Sequence, residues 1–140
     1  YEIMVRVHPG YKFFIMDVAV PISAYPALIG YVEELKQEYN TTAYMIGHAG
    51  DGNIHVEFPY SNETEFHRAL DLDKMIVNRA IDLGGTATGE HGVGMGKAMF
   101  MEHEHGEALD VMRGIKQLLD PNGILNPGKI FPEAVPAEAV

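Results

Sequence analysis

Residues 47 to 55 read Gly-His-Ala-Gly-Asp-Gly-Asn-Ile-His, and this stretch constrains the fold more than any other. Three glycines in six residues call for a tight turn with backbone positions that side chains would obstruct. Strand-like runs lie on both sides, 42–47 before it and 53–58 after it. The turn therefore folds one strand back along the next. In the second run Ile54, Val56 and Phe58 alternate with His55 and Glu57. That period of two puts the histidine and the glutamate on the face away from the core.

The rest of the chain alternates strand and helix patterns. Lys12 to Val20 reads as a strand, apolar around one Asp17 and ended by Pro21. Ser23 is placed to cap a helix whose stripe runs through Leu28, Val32 and Leu35. Asn62 with Glu65 makes a capping-box pattern before a second helix, striped by Ala69, Leu72, Ile76, Ala80 and Leu83. Thr86-Ala87-Thr88 is short enough for an edge strand, and a last helix carries Ala108, Val111, Met112, Ile115, Leu118 and Leu119. This order predicts an α+β fold, an antiparallel sheet with helices packed on one face in a ferredoxin-like, split βαβ arrangement. Residues 1–131 are expected to form one domain, and 132–140, rich in Ala, Pro and Glu, a frayed tail.

Several functions are excluded by composition. Ten basic against twenty acidic residues give a net charge of −10, which repels phosphate backbones and argues against nucleic-acid binding. The absence of cysteine removes disulfides, thiolate nucleophiles and iron–sulfur ligation, and it fits a reducing, cytoplasmic location. No apolar stretch approaches the length of a transmembrane segment. A start at Tyr1-Glu2-Ile3, without an initiator methionine, suggests a piece of a longer chain.

Two stretches carry chemistry. In the first, His48 and His55 converge from the ends of adjacent strands, and two imidazoles so placed bind a borderline metal such as zinc, manganese or iron. The alternative is a purely structural Asp-Gly-Asn hairpin with two solvated histidines. The second stretch is Thr88-Gly89-Glu90-His91-Gly92-Val93-Gly94. Here Glu90 could complete a His–His–carboxylate metal set, leaving His91 for proton transfer, or it could be a surface glutamate in a salt bridge. A phosphate-loop reading of residues 92–97 fails on spacing and on Ala98, which stands where a hydroxyl residue belongs. His8-Pro9-Gly10 reads as a turn, His67 as a surface residue, and Met95, Met99 and Met101 as packing residues.

Taken together, GHAGDGNIH, TGEHGVG and LLDPNGILNPGKIF, in that order, resemble the carboxy-terminal half of the FAD-linked oxidases. That family includes the glycolate oxidase subunit, D-lactate dehydrogenases and D-2-hydroxyglutarate dehydrogenase. The resemblance covers about Asp17 to Phe131. It implies that His48, His55 and Glu90 bind a divalent metal and that His91 takes the hydroxyl proton of a small 2-hydroxy acid. It also implies that Asn126 lies where the chain returns to FAD. The flavin would be bound mainly by an amino-terminal domain to which nothing in this sequence corresponds, supplied by the same chain or by a partner subunit. Through such subunits the protein could associate with a membrane.

Two departures from the family pattern bear on substrate. The family commonly has a lysine before the Asp of the first strand, whereas this chain has Ile15 and Met16 before Asp17. Some relatives carry an amide two places after the second histidine, where this chain has Glu57. Like-charge repulsion there disfavours a diacid and favours glycolate or lactate. Two rival expectations are a non-catalytic metal-binding or dimerisation module on the same scaffold, and metal-dependent hydrolysis without flavin.

Overall fold

A computed structural model describes residues 2–131; the tail expected at 132–140 lies outside the described residues. The chain divides into two compact units, one ending at Glu90 and the other beginning at His91.

The first unit is built on a three-stranded antiparallel sheet. Its elements are α1 (Glu2–Val7), β1 (Lys12–Ala19), α2 (Tyr25–Glu38), β2 (Tyr44–His48), β3 (Asn53–Tyr60) and α3 (Glu63–Asp82). The strand order is β1-β3-β2, so β3 is central and pairs antiparallel on both sides. One sheet face buries Met16 and Val18 from β1 with Ile54, Val56 and Phe58 from β3. α3 packs on β1 and β3 and also against α2. It buries Ala69, Leu72, Ile76, Val77 and Ala80, while α2 buries Leu28, Val32 and Leu35. Each large aliphatic side chain so covered contributes roughly 1.5–3 kcal/mol. The fold is α+β with an antiparallel sheet, as the strand and helix patterns predict.

Local signals fared unevenly. Asn62 caps α3 as expected, its side chain accepting from Glu65 N–H at 3.0 Å. The Glu65 carboxylate reaches back to Ser61 N–H at 2.7 Å, which holds its carboxyl below the ordinary range. Ser23 does not cap α2. A 3₁₀ turn at Ile22–Ala24 follows Pro21 and leads directly into a helix with proline in its first turn, so no side-chain cap forms. The edge strand at 86–88 is reduced to one antiparallel bridge, Ala19 to Thr86, so the fourth strand of a ferredoxin-like sheet is not formed among the described residues. Thr86 meets β1 at its last residue, Ala19, and further on the Glu90 N–H bonds the Asp17 side chain, not the β1 backbone.

The second unit contains α4 (Met101–His105), entered through a 3₁₀ turn at Ala98–Phe100, and α5 (Ala108–Leu119). Phe100, Met101 and Leu109 are buried. The helical stripe anticipated for α5 is present, yet Val111, Ile115, Leu118 and Leu119 are exposed and Leu109, outside that stripe, is the buried one. Met101 packs inward, whereas Met95 and Met99 are exposed. Asp120 closes α5. Its carboxylate pairs with Lys116 and accepts from the backbone N–H of Ile124 (3.0 Å) and Leu125 (2.9 Å). No helix among the described residues is long and apolar enough to cross a membrane.

Candidate metal centre

The hairpin between β2 and β3 sets the position of both histidines. After His48 a 3₁₀ turn spans Ala49–Asp51, and Gly52 follows at φ +72°. A side-chain carbon at 52 would also collide with the Val20 carbonyl, so only glycine fits. The turn leaves His48 opposite Asn53, with His55 two residues further along β3. The rings of His48 and His55 meet edge to face, centroids 6.0 Å apart.

Glu90 arrives from the far end of the unit. The chain reaches it through Gly89, where a side-chain carbon would run into Asn53 and the Asp17 carboxylate. The Glu90 backbone N–H donates to Asp17 Oδ2 at 2.7 Å, and its Oε1 lies 3.2 Å from His55 Nε2. One ligand atom from each of His48, His55 and Glu90 lies within 4.8 Å of the others. Thus the three residues singled out as metal ligands are gathered at one place. His55 is mostly buried at 13% side-chain exposure, Glu90 is half open at 52%, and His48 is exposed. Two imidazoles and a carboxylate on one open-sided patch suit a borderline divalent cation and leave room for further oxygen ligands.

Beneath this patch lies a buried polar pair, Asp17 and Asn53, to which the sequence motifs assign no role. Asp17 projects from β1 directly opposite His55 in the register. Asn53 Nδ2 donates to Asp17 Oδ1 at 2.6 Å and to the Val18 carbonyl at 3.2 Å. Both residues are buried. An available signal was a lone aspartate in an otherwise apolar strand. Two positions beyond His55 on β3, Glu57 is only 6% exposed, and its Oε2 has no hydrogen-bond partner among the described residues. His8-Pro9-Gly10 forms the expected turn, with Tyr11 N–H donating to the His8 carbonyl at 3.2 Å, and His8 Nε2 lies 2.6 Å from the Tyr44 hydroxyl.

The other two singled-out residues belong to the second unit. His91 is its first residue and is exposed. Asn126 is exposed in the segment after α5, with φ +47°.

Comparison with known proteins decides the family. The sequence model described as "FAD linked oxidases, C-terminal domain" matches residues 3–130. The chain belongs to this family. It is 43% identical over 130 residues to a mitochondrial D-lactate dehydrogenase [cytochrome] of Arabidopsis thaliana, covering 91% of this chain and 23% of that protein. A mitochondrial D-lactate dehydrogenase [cytochrome] of Saccharomyces cerevisiae is 42% identical over 121 residues, 86% of this chain and 21% of the yeast protein. The glycolate oxidase subunit GlcD of Bacillus subtilis is 39% identical over 118 residues, 82% of this chain and 25% of that subunit. The chain therefore spans about a quarter of the length of these relatives.

Proposed function

We propose that this chain is the substrate- and metal-binding part of a flavin-dependent 2-hydroxy-acid dehydrogenase, of glycolate or D-lactate type. The observation that carries the reading is the gathering of His48, His55 and Glu90 donor atoms within 4.8 Å, from motifs that the family resemblance marks for that role. When bound, a divalent cation supplies Lewis acidity toward the carboxylate and hydroxyl oxygens of the substrate, and FAD supplies the hydride acceptor.

The chain's own residues divide the remaining work. His48, His55 and Glu90 hold the cation on the sheet face that carries His55, away from the face that buries Ile54 and Val56. His91, the neighbour of Glu90 in sequence, takes the hydroxyl proton as a neutral imidazole. Asn126 contributes from the flavin side. Glu57 lies on the same sheet face as His55, and its buried carboxylate disfavours a substrate with a second carboxylate. The FAD-binding domain comes from the same chain or a partner subunit, and the present chain by itself does not oxidise the substrate. A cytoplasmic location remains part of this proposal, beside the mitochondrial address in the names of the plant and yeast relatives.

The test joins elemental analysis to turnover. The protein complete with its flavin domain should contain one divalent metal ion and reduce a dye with D-lactate or glycolate, and His91→Ala should abolish that reduction with metal still bound. Metal-free protein with full turnover would overturn the reading.

A further inference from the structure

We propose that Asp17 is a positioning residue that sets the metal-facing nitrogen of His55 and the placement of Glu90 together. The inference rests on the metal-site reading above and adds a role to a residue that is not itself one of the three ligands. In β1, Asp17 lies between the buried Met16 and Val18, and the strand's alternation turns it to the opposite face, across from His55. It is 2% exposed. A carboxylate so buried is costly unless donors surround it.

Donors reach both of its oxygens. Oδ1 accepts from Asn53 Nδ2 at 2.6 Å and also lies 3.3 Å from His55 Nδ1; Oδ2 accepts from the Glu90 backbone N–H at 2.7 Å. Two independent hydrogen bonds thus fix the carboxylate plane. The consequence for His55 follows from imidazole chemistry. A ring that offers Nε2 to a cation carries its proton on Nδ1 and needs an acceptor there. Asp17 Oδ1 lies 3.3 Å from Nδ1, within ion-pair reach though outside hydrogen-bond geometry, and Nε2 lies 3.2 Å from Glu90 Oε1. Glu90 is tied to the same carboxylate through its backbone although it lies 73 residues further along the chain. Two ligands from distant segments are referenced to one anchor.

Substitution by asparagine tests the role without changing shape. The amide keeps one accepting oxygen and puts an NH₂ where the other was. Either the Glu90 N–H or the Asn53 and His55 side then meets a donor. Zinc titration by calorimetry should show Asp17→Asn binding roughly 10–100-fold more weakly than the wild-type chain. Histidine-selective ¹⁵N NMR of the zinc-loaded wild type should show His55 protonated at Nδ1 and coordinating through Nε2, a readout that needs no variant to fold. Coordination through Nδ1, or equal zinc affinity in Asp17→Asn, would overturn the role of Asp17 and leave the metal site standing. A wild-type chain that binds no zinc overturns both.

Discussion

His55 Nε2 lies 3.2 Å from Glu90 Oε1, one atom delivered by the third residue of the central strand and the other by the last residue of the first unit. The hairpin adds His48 to this pair, with the His48 and His55 rings edge to face. A cation entering the patch meets three donors that are already close, so little ordering of the chain opposes its binding.

Under the proposed metal-binding role, removing one of these donors should act directly on affinity. His55→Ala and Glu90→Gln are expected to weaken zinc or manganese binding by more than the roughly 10–100-fold typical of an outer partner. Thermal unfolding of the metal-free protein should barely change for Glu90→Gln, whose side chain is half exposed. Calorimetric titration with matched melting curves checks both. Unaltered affinity in either variant counts against the site.

The hairpin depends on Gly52. An L side chain at φ +72° costs about 1–2 kcal/mol, and at this position it would also strike the Val20 carbonyl. Gly52→Ala should lower stability by at least that much in a denaturant titration and weaken metal binding with it, because the turn sets the spacing of His48 and His55. A loss confined to stability would separate the turn from the site.

α3 starts on Asn62. Its side chain holds the Glu65 N–H at 3.0 Å, so Asn62→Ala should cost about 1 kcal/mol by equilibrium unfolding. Metal affinity should stay unchanged, since neither Asn62 nor its partner belongs to the candidate site.

Asp120 predicts a pH dependence in the second unit. Hydrogen bonding from Lys116, then from the backbone N–H of Leu125 and Ile124, holds its carboxyl below the ordinary 3.8 despite burial that acts in the opposite direction. With the folded value depressed, this contribution is complete above the ordinary aspartate range and is lost as pH falls through the folded value. A ¹³C titration of the Asp120 carboxyl should show a midpoint below 3.8, moving upward in Lys116→Met. A wild-type midpoint at or above 3.8 contradicts the geometry.

Substrate choice is tested at Glu57. In the protein complete with its flavin domain, D-lactate or glycolate should turn over faster than 2-hydroxyglutarate. Glu57→Gln, nearly isosteric, should narrow that gap, read as the ratio of kcat/KM values. A wild-type preference for the diacid would remove the repulsion argument.

Much of this protein was legible in its sequence, because the decisive signals are local. Alternation in β3 gave the faces of Ile54, Val56 and Phe58 and put His55 on the other side. Glycines at the β2–β3 turn announced a hairpin, Asn62 announced a helix start, and the spaced motifs named His48, His55 and Glu90 before they were seen together. Propensity and spacing act over a few residues, and a sequence displays them directly.

Tertiary structure decided the rest. Whether 86–88 extends the sheet depended on where the chain meets β1 after α3, and it meets only the last strand residue, Ala19, in one bridge. Whether the apolar stripe of α5 is buried depended on packing, and Leu109 is covered while Leu118 is not. The role of Asp17 arises from pairing with Asn53 at 2.6 Å and Glu90 at 2.7 Å, partners 36 and 73 residues away. Local pattern fixes which way a side chain points along its own strand. Only the closing of the chain on itself determines what it meets there.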